Sequence, residues 1–184
     1  MNNVVQHLVA ADVPPADVDA LAARLRAWLL AEGIIAAELS ACVPDGLGHA
    51  PGPRCARAVG ADDIALARLH RQSLNGVALR CGRMVYDCGQ LGAAFCPHCG
   101  HVLHAAGDPR WFDALEQWLV EGGAGRLACT QCLLEAPLPQ WQHEPPLGFG
   151  CLGLSFWNWP PLAPAFVDEL VTLLGARLLR IGEG

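Results

Sequence analysis

Apolar residues recur along this chain at two spacings, and the switches between them mark out its elements. Val4 to Val9 is a short apolar run suited to a strand, closed by Asp12 and Pro14-Pro15. Val18, Leu21, Leu25, Trp28 and Leu29 then follow three and four apart, with acidic Asp17 and Asp19 in front and Gly33 behind, which predicts an amphipathic helix. Ile34-Ile35 opens a second strand reaching about Cys42, so the N-terminal segment outlines a β-α-β unit. Pro44 to Pro53 has the composition of a loop, and Asp62 to Leu74 carries apolar residues at helical spacing. Val77 to Arg80 and Arg83 to Tyr86 flank Cys81-Gly82 as in a two-residue hairpin, with Arg80 and Arg83 expected in solvent.

Asp108-Pro109 predicts a capped helix start, followed by Trp111, Phe112, Leu115, Trp118 and Leu119 as an apolar stripe ending at Gly122-Gly123. Such a stripe is core by its periodicity. From Cys132 to Pro146 the prolines suggest a linker. Phe149 to Trp157 alternates large Leu152, Leu154 and Phe156 with small Cys151, Gly153 and Ser155, a strand with two unlike faces. Phe166, Val167, Leu170, Val171 and Leu174 predict a last helix between Pro164 and Gly175, and Arg177 to Ile181 a last strand. The two ends share an outline, Pro-Pro before a Gly-terminated helix. The fold class that follows is α+β: a split β-α-β, ferredoxin-like sheet from residues 1–90 and 145–184, with 91–144 inserted.

Chemistry concentrates in that insertion. Cys96-Pro97-His98-Cys99-Gly100 and Cys129-Thr130-Gln131-Cys132 are paired Cys-x-x-Cys turns, each able to offer two thiolates to one tetrahedral metal ion. The first pair resembles the zinc knuckle of the zinc-ribbon class, and the resemblance covers Leu91 to Leu138. It implies a four-cysteine zinc-ribbon module carrying one helix, with one structural Zn2+ held by Cys96, Cys99, Cys129 and Cys132. The second turn departs from the pattern in lacking a glycine after its last cysteine, and the helix between the pairs is an elaboration.

Two other chemistries are weighed at the same residues. Cys-Pro-His-Cys also resembles the active motif of thioredoxin-fold thiol oxidases, with Cys96 as a low-pKa nucleophile and Cys99 resolving it. That fold needs the motif to open a long helix, and it leaves the second pair unexplained. A catalytic zinc needs an open position, which four cysteines close, although His98, His101 and His104 lie near enough in sequence to replace one ligand. There is no phosphate-binding Gly-x-x-x-x-Gly-Lys loop.

The 53% hydrophobic and 16% charged composition excludes a disordered chain, and the net charge of −6 argues against nonspecific nucleic-acid binding. Arg24 with Arg26, or Arg54 with Arg57, could form local basic patches, for which a solvated face is the plainer account. The N-terminus from Met1 to His7 lacks a basic start, so the cytoplasm is the expected compartment. Pro145 to Val167 is uncharged, but its glycines and prolines break it too often for a membrane helix, and no membrane span is expected. Cys42, Cys55, Cys81, Cys88 and Cys151 remain, buried thiols being the plain reading for most.

The functional expectation is a zinc-binding, non-enzymatic module that binds or assembles with a protein. The alternative is an enzyme with a small-molecule pocket between the 44–57 loop and the 157–159 turn. Trp157, Asn158 and Trp159, with Arg54 and Arg57, are the candidate ligand or partner surface.

Overall fold

The first apolar run forms strand β1, Val5–Ala10, and the helix behind it is α1, Val18–Ala31. This computed structural model describes residues 3–44 and 46–182; Met1 and Asn2 of the N-terminal reading and Asp45 of the expected loop lie outside them. α1 buries Val18, Ala22, Leu25 and Leu29, with Leu21 and Trp28 half-buried beside them. It stops where predicted: Gly33 takes a left-handed φ of 64°, and Ile34 N–H turns back to Leu29 O at 2.9 Å.

The expected loop at 44–53 is instead largely a strand. β2, Ile35–Val43, and β3, Gly46–Pro51, pair antiparallel with two register shifts. The glycines there serve close approach, since a Cβ on Gly48 would lie 2.6 Å from Val43 Cγ1 and one on Gly52 would meet Gly33 O. Helix α2, Asp63–Arg71, begins at Asp62, whose carboxylate accepts Ala65 N–H at 2.8 Å.

β4, Val77–Tyr86, is a single strand where the spacing predicts a hairpin. Both favoured two-residue hairpin turns need positive φ at the first central residue. Here only Gly82 has it, at 99°, and Cys81 does not. Arg83, expected in solvent, sits 3.7 Å over the Trp118 ring and donates to Trp118 O, Gly122 O and Gly123 O.

The remaining elements are β5, Ala93–Phe95; β6, Val102–His104; α3, Pro109–Leu119; β7, Arg126–Ala128; β8, Glu135–Pro137; β9, Gln142–Glu144; β10, Gly148–Trp157; α4, Pro164–Leu174; and β11, Leu178–Ile181. The stretch expected as a proline-rich linker thus contains β8 and β9. Its prolines sit at strand ends and in the 3-10 turn Leu138–Gln140, where a missing N–H costs nothing.

The chain divides into two units, one of Met1–Gly82 with Gly150–Gly184 and one of Arg83–Phe149. The large sheet has six strands in the order β11-β1-β10-β4-β3-β2. β1 is antiparallel to both β10 and β11, which flank it. The mixed α+β class holds; the sheet has more strands than the ferredoxin-like pattern. In the first unit, Leu152, Leu154 and Phe156 of β10 enter a core with Leu8, Leu25, Leu29, Phe166 and Leu170, as their alternation predicts. The small face of β10 is buried as well, and Ser155 Oγ lies 2.9 Å from His7 Nδ1. No described helix is long and apolar enough to cross a membrane.

Candidate metal centre

Each cysteine pair sits at the tip of a short antiparallel hairpin in the Arg83–Phe149 unit. Phe95 of β5 faces Val102 of β6 across residues 96–101, and Ala128 of β7 faces Glu135 of β8 across residues 129–134. The two tips close alike. Cys96 N–H donates to His101 O at 2.9 Å and Gly100 N–H to Cys96 O at 2.9 Å; Cys129 N–H donates to Leu134 O at 3.0 Å and Leu133 N–H to Cys129 O at 3.0 Å. His98 N–H and Gln131 N–H each point at the first sulfur of their own turn, at 3.4 Å. The resemblance between the turns therefore extends beyond the cysteines to the whole backbone path.

These tips bring the ligand atoms of Cys96, Cys99, Cys129 and Cys132 within 4.8 Å of one another. Cys96 Sγ and Cys132 Sγ are 3.8 Å apart, and Cys99 Sγ and Cys129 Sγ 3.6 Å. Four sulfurs about 2.3 Å from a central ion would form a tetrahedron with edges of about 3.8 Å. The two measured edges fit that figure, and none of the nine cysteines forms a disulfide.

The electrostatics of the cluster set its thiols apart from one another. The Cys132 and Gln131 amides, with hydrogen bonds from neighbouring thiols, bring Cys129 down to about 6. At Cys99, which is exposed, the His101 amide pulls downward, but the loss of hydration among the sulfurs and the hydrogen bonds with the three other cysteines outweigh it and push the thiol up to about 12. One sulfur thus ionises readily and makes its neighbour harder to ionise, which a divalent cation would relieve.

The surrounding packing holds the tips in place. Trp111 of α3, with no exposed surface, shares a core with Cys96, Cys129, Leu103, Leu127 and Leu138. The predicted stripe is core only in part, because Phe112 is 43% and Leu119 39% exposed. Asp108 caps α3 through Arg110 N–H at 3.0 Å, and the Arg110 guanidinium holds its carboxyl below the usual range. His98 reaches Glu135 O at 3.4 Å and His101 reaches Thr130 Oγ1 at 3.2 Å, so both tie one tip to the other while four sulfurs form the cluster. Sequence reasoning noted that Leu133 stands where the first turn has its glycine but missed that its backbone keeps the glycine's conformation, with φ of 63° against 72° at Gly100. Its signal was available: Gly100 and Leu133 both directly follow the second cysteine of a pair.

The other candidate residues lie in the first unit. Trp159 is 2% exposed, and its indole N–H donates to Asn75 O at 2.7 Å. Asn158 accepts Val4 N–H at 2.9 Å and donates to Leu74 O at 2.6 Å, holding the left-handed turn its φ of 58° requires. Trp157 packs against Cys42, Val43 and Ala78. Arg54 donates to Ala31 O at 2.6 Å at the end of α1, and Arg57 bridges Glu32 and Glu169, the latter at 2.7 Å. A cleft of about 890 Å3 does border this turn. Asn158, Trp159, Pro160 and Pro161 form one side and α2 with residues 72–74 another; none of residues 44–57 lines it, which corrects the expected location. Gln6, another residue sequence reasoning passed over, fixes the turn from beneath. Its Nε2 donates to Trp159 O and Pro160 O, both at 3.0 Å, and its Oε1 accepts Leu162 N–H at 3.2 Å.

No protein-family model, no curated protein and no solved structure matches this chain.

Proposed function

We propose that this protein binds one structural Zn2+ through Cys96, Cys99, Cys129 and Cys132, in a zinc-ribbon-type unit of a non-enzymatic protein-binding or assembly module. The observation that carries the metal is the pair of matching tips, with sulfur-to-sulfur edges of 3.6 and 3.8 Å and an amide aimed at the first sulfur of each. Thiolate sulfur favours zinc among the abundant divalent ions, and four sulfurs complete its shell, leaving no position for a reacting water. The ion would supply two positive charges to the thiolates and cross-link the two hairpins. The protein's own contribution is to direct the sulfurs toward one another and to pack the buried Cys96 and Cys129 against a core with Trp111 and Leu127.

The thiol-oxidase alternative has less support. It requires the first pair to open a helix, but Cys96 to Gly100 leads into β6, and α3 begins only at Pro109. The depressed thiol is Cys129 of the other pair.

Zinc content and thermal unfolding of the wild type and Cys129→Ser test the metal assignment. One zinc per chain and a large loss of stability in the variant are expected, since structural zinc contributes about 10 kcal/mol or more of apparent folding energy. Full metal occupancy with unchanged stability in the variant would refute the structural role.

A further inference from the structure

The chain contains no lysine, so all twelve of its basic side chains are arginine guanidiniums, against eighteen carboxylates. Arg57, Arg110 and Arg177 each pair with at least one carboxylate. Arg68 and Arg71 have no such partner and no hydrogen bond among the described residues, although carboxylates are in excess. They lie three apart on α2, hence on neighbouring positions of one helix face, and both line the 890 Å3 cleft. Beside them the cleft offers an apolar strip from Leu74, Pro160 and Pro161.

We infer that this cleft receives an extended acidic peptide segment of a partner protein, whose carboxylates pair with Arg68 and Arg71 while its apolar side chains lie on the Leu74–Pro160–Pro161 strip. The inference rests on the reading of the protein as a binding module. Guanidiniums take carboxylates in a two-pronged fork that an ammonium cannot supply, and two free forks in an acidic protein attract a ligand of the opposite sign. Both arginines are exposed while Leu74 and Pro160 are half-buried, so charge lines the rim and apolar surface the floor. An extended peptide alternates its side chains between two sides and can answer rim and floor at once. A small molecule is instead held by enclosure and a few inward polar groups, which exposed rim arginines do not provide. The far wall is preorganised, because Gln6 and Asn158 fix the 158–161 turn by hydrogen bonds at 2.6–3.2 Å.

The test uses the full chain and a fluorescein-labelled, alternating Glu-Leu peptide of about eight residues, a length matched to a short strand, followed by fluorescence anisotropy. Saturable binding is expected, weakened at least about tenfold in an Arg68→Glu/Arg71→Glu variant and by less in the double lysine variant. Arg126→Glu, which alters an exposed arginine outside the cleft, should leave it unchanged. An alternating Lys-Leu peptide should not bind. The proposal is overturned if the Glu-Leu peptide shows no saturable binding up to about 1 mM, the weak end of recognition, or if the Arg68→Glu/Arg71→Glu variant binds it as the wild type does. Complete competition by free glutarate at the peptide's own concentration would overturn it in favour of a small-anion site. Zinc content is measured on the same samples. Full zinc without peptide binding removes this inference alone, and peptide binding without zinc removes the metal assignment alone.

Discussion

Gly100 and Leu133 occupy the same place in two matching turns, each donating its N–H to the carbonyl of the turn's first cysteine and each with left-handed φ, 72° and 63°. For glycine that conformation is free, whereas for leucine the Cβ crowds its own backbone, at a cost of about 1 kcal/mol. Leu133 is 79% exposed, so little packing offsets the strain. Leu133→Gly should therefore stabilise the protein by about 1 kcal/mol and Gly100→Leu should destabilise it by a similar amount. Chemical denaturation of both zinc-loaded variants checks this. A loss of stability in Leu133→Gly would mean that the exposed side chain makes contacts worth more than the strain.

Metal affinity should fall as pH falls, because protons and the ion compete for the same sulfurs. Cys129, at about 6, is largely ionised at pH 7, whereas Cys99, at about 12, must surrender its proton to the metal. Each proton displaced per ion bound weakens affinity about tenfold per unit of pH lost. Competition against a chromophoric chelator between pH 8 and 6 should show at least that slope, and a flat profile would exclude binding through thiolates.

His143 supplies a second pH dependence with the same sign. Burial lowers its pKa from 6.5, opposed by a hydrogen bond to Leu138 O at 3.1 Å, and its ring lies 5.5 Å from that of Phe149. Below about pH 6.5 the unfolded chain takes up a proton that the folded one resists, so stability is full above that value and declines beneath it. His143→Gln should flatten this decline between pH 7 and 5 relative to the wild type, both measured with saturating zinc. Parallel curves would show that the ring stays neutral for no energetic reason of its own.

Gln6 makes three hydrogen bonds while 5% exposed, two from its amide to the carbonyls of Trp159 and Pro160 and one from Leu162 N–H to its oxygen. Gln6→Leu retains the bulk but leaves those groups without partners, and should cost about 2–3 kcal/mol. Urea denaturation with an unchanged slope would confirm a loss of native stability; a change below about 0.5 kcal/mol would mean that water replaces the side chain.

The sequence was most legible where a side chain both sets local geometry and reports it. Gly33 and Gly175 end α1 and α4 at φ of 64°, and Asp108 begins α3, because a left-handed cap and a carboxylate on free amides are local requirements. The four sulfurs followed from spacing alone, since a Cys-x-x-Cys turn needs nothing distant to shape it. Errors arose where glycine and proline served tertiary contact. Gly48 and Gly52 look like loop residues until Val43 and the Gly33 carbonyl are seen against them. Cys81-Gly82 looks like a hairpin until the missing positive φ at Cys81 is known. Nothing local to Arg54 and Arg57 announces their bonds to Ala31 O and Glu169, which lie far away along the chain.

The neighbours of β1 have a consequence for how the protein is made. Val5 pairs with Trp157, and Ala10 with both Leu152 and Leu178, so both edges of β1 wait for β10 and β11 to leave the ribosome. Residues 83–149, with all four cluster cysteines, emerge in the interval. An apolar strand with two open edges therefore persists on the nascent chain while those residues are made, an interval of exposure to wrong pairing before the largest sheet exists.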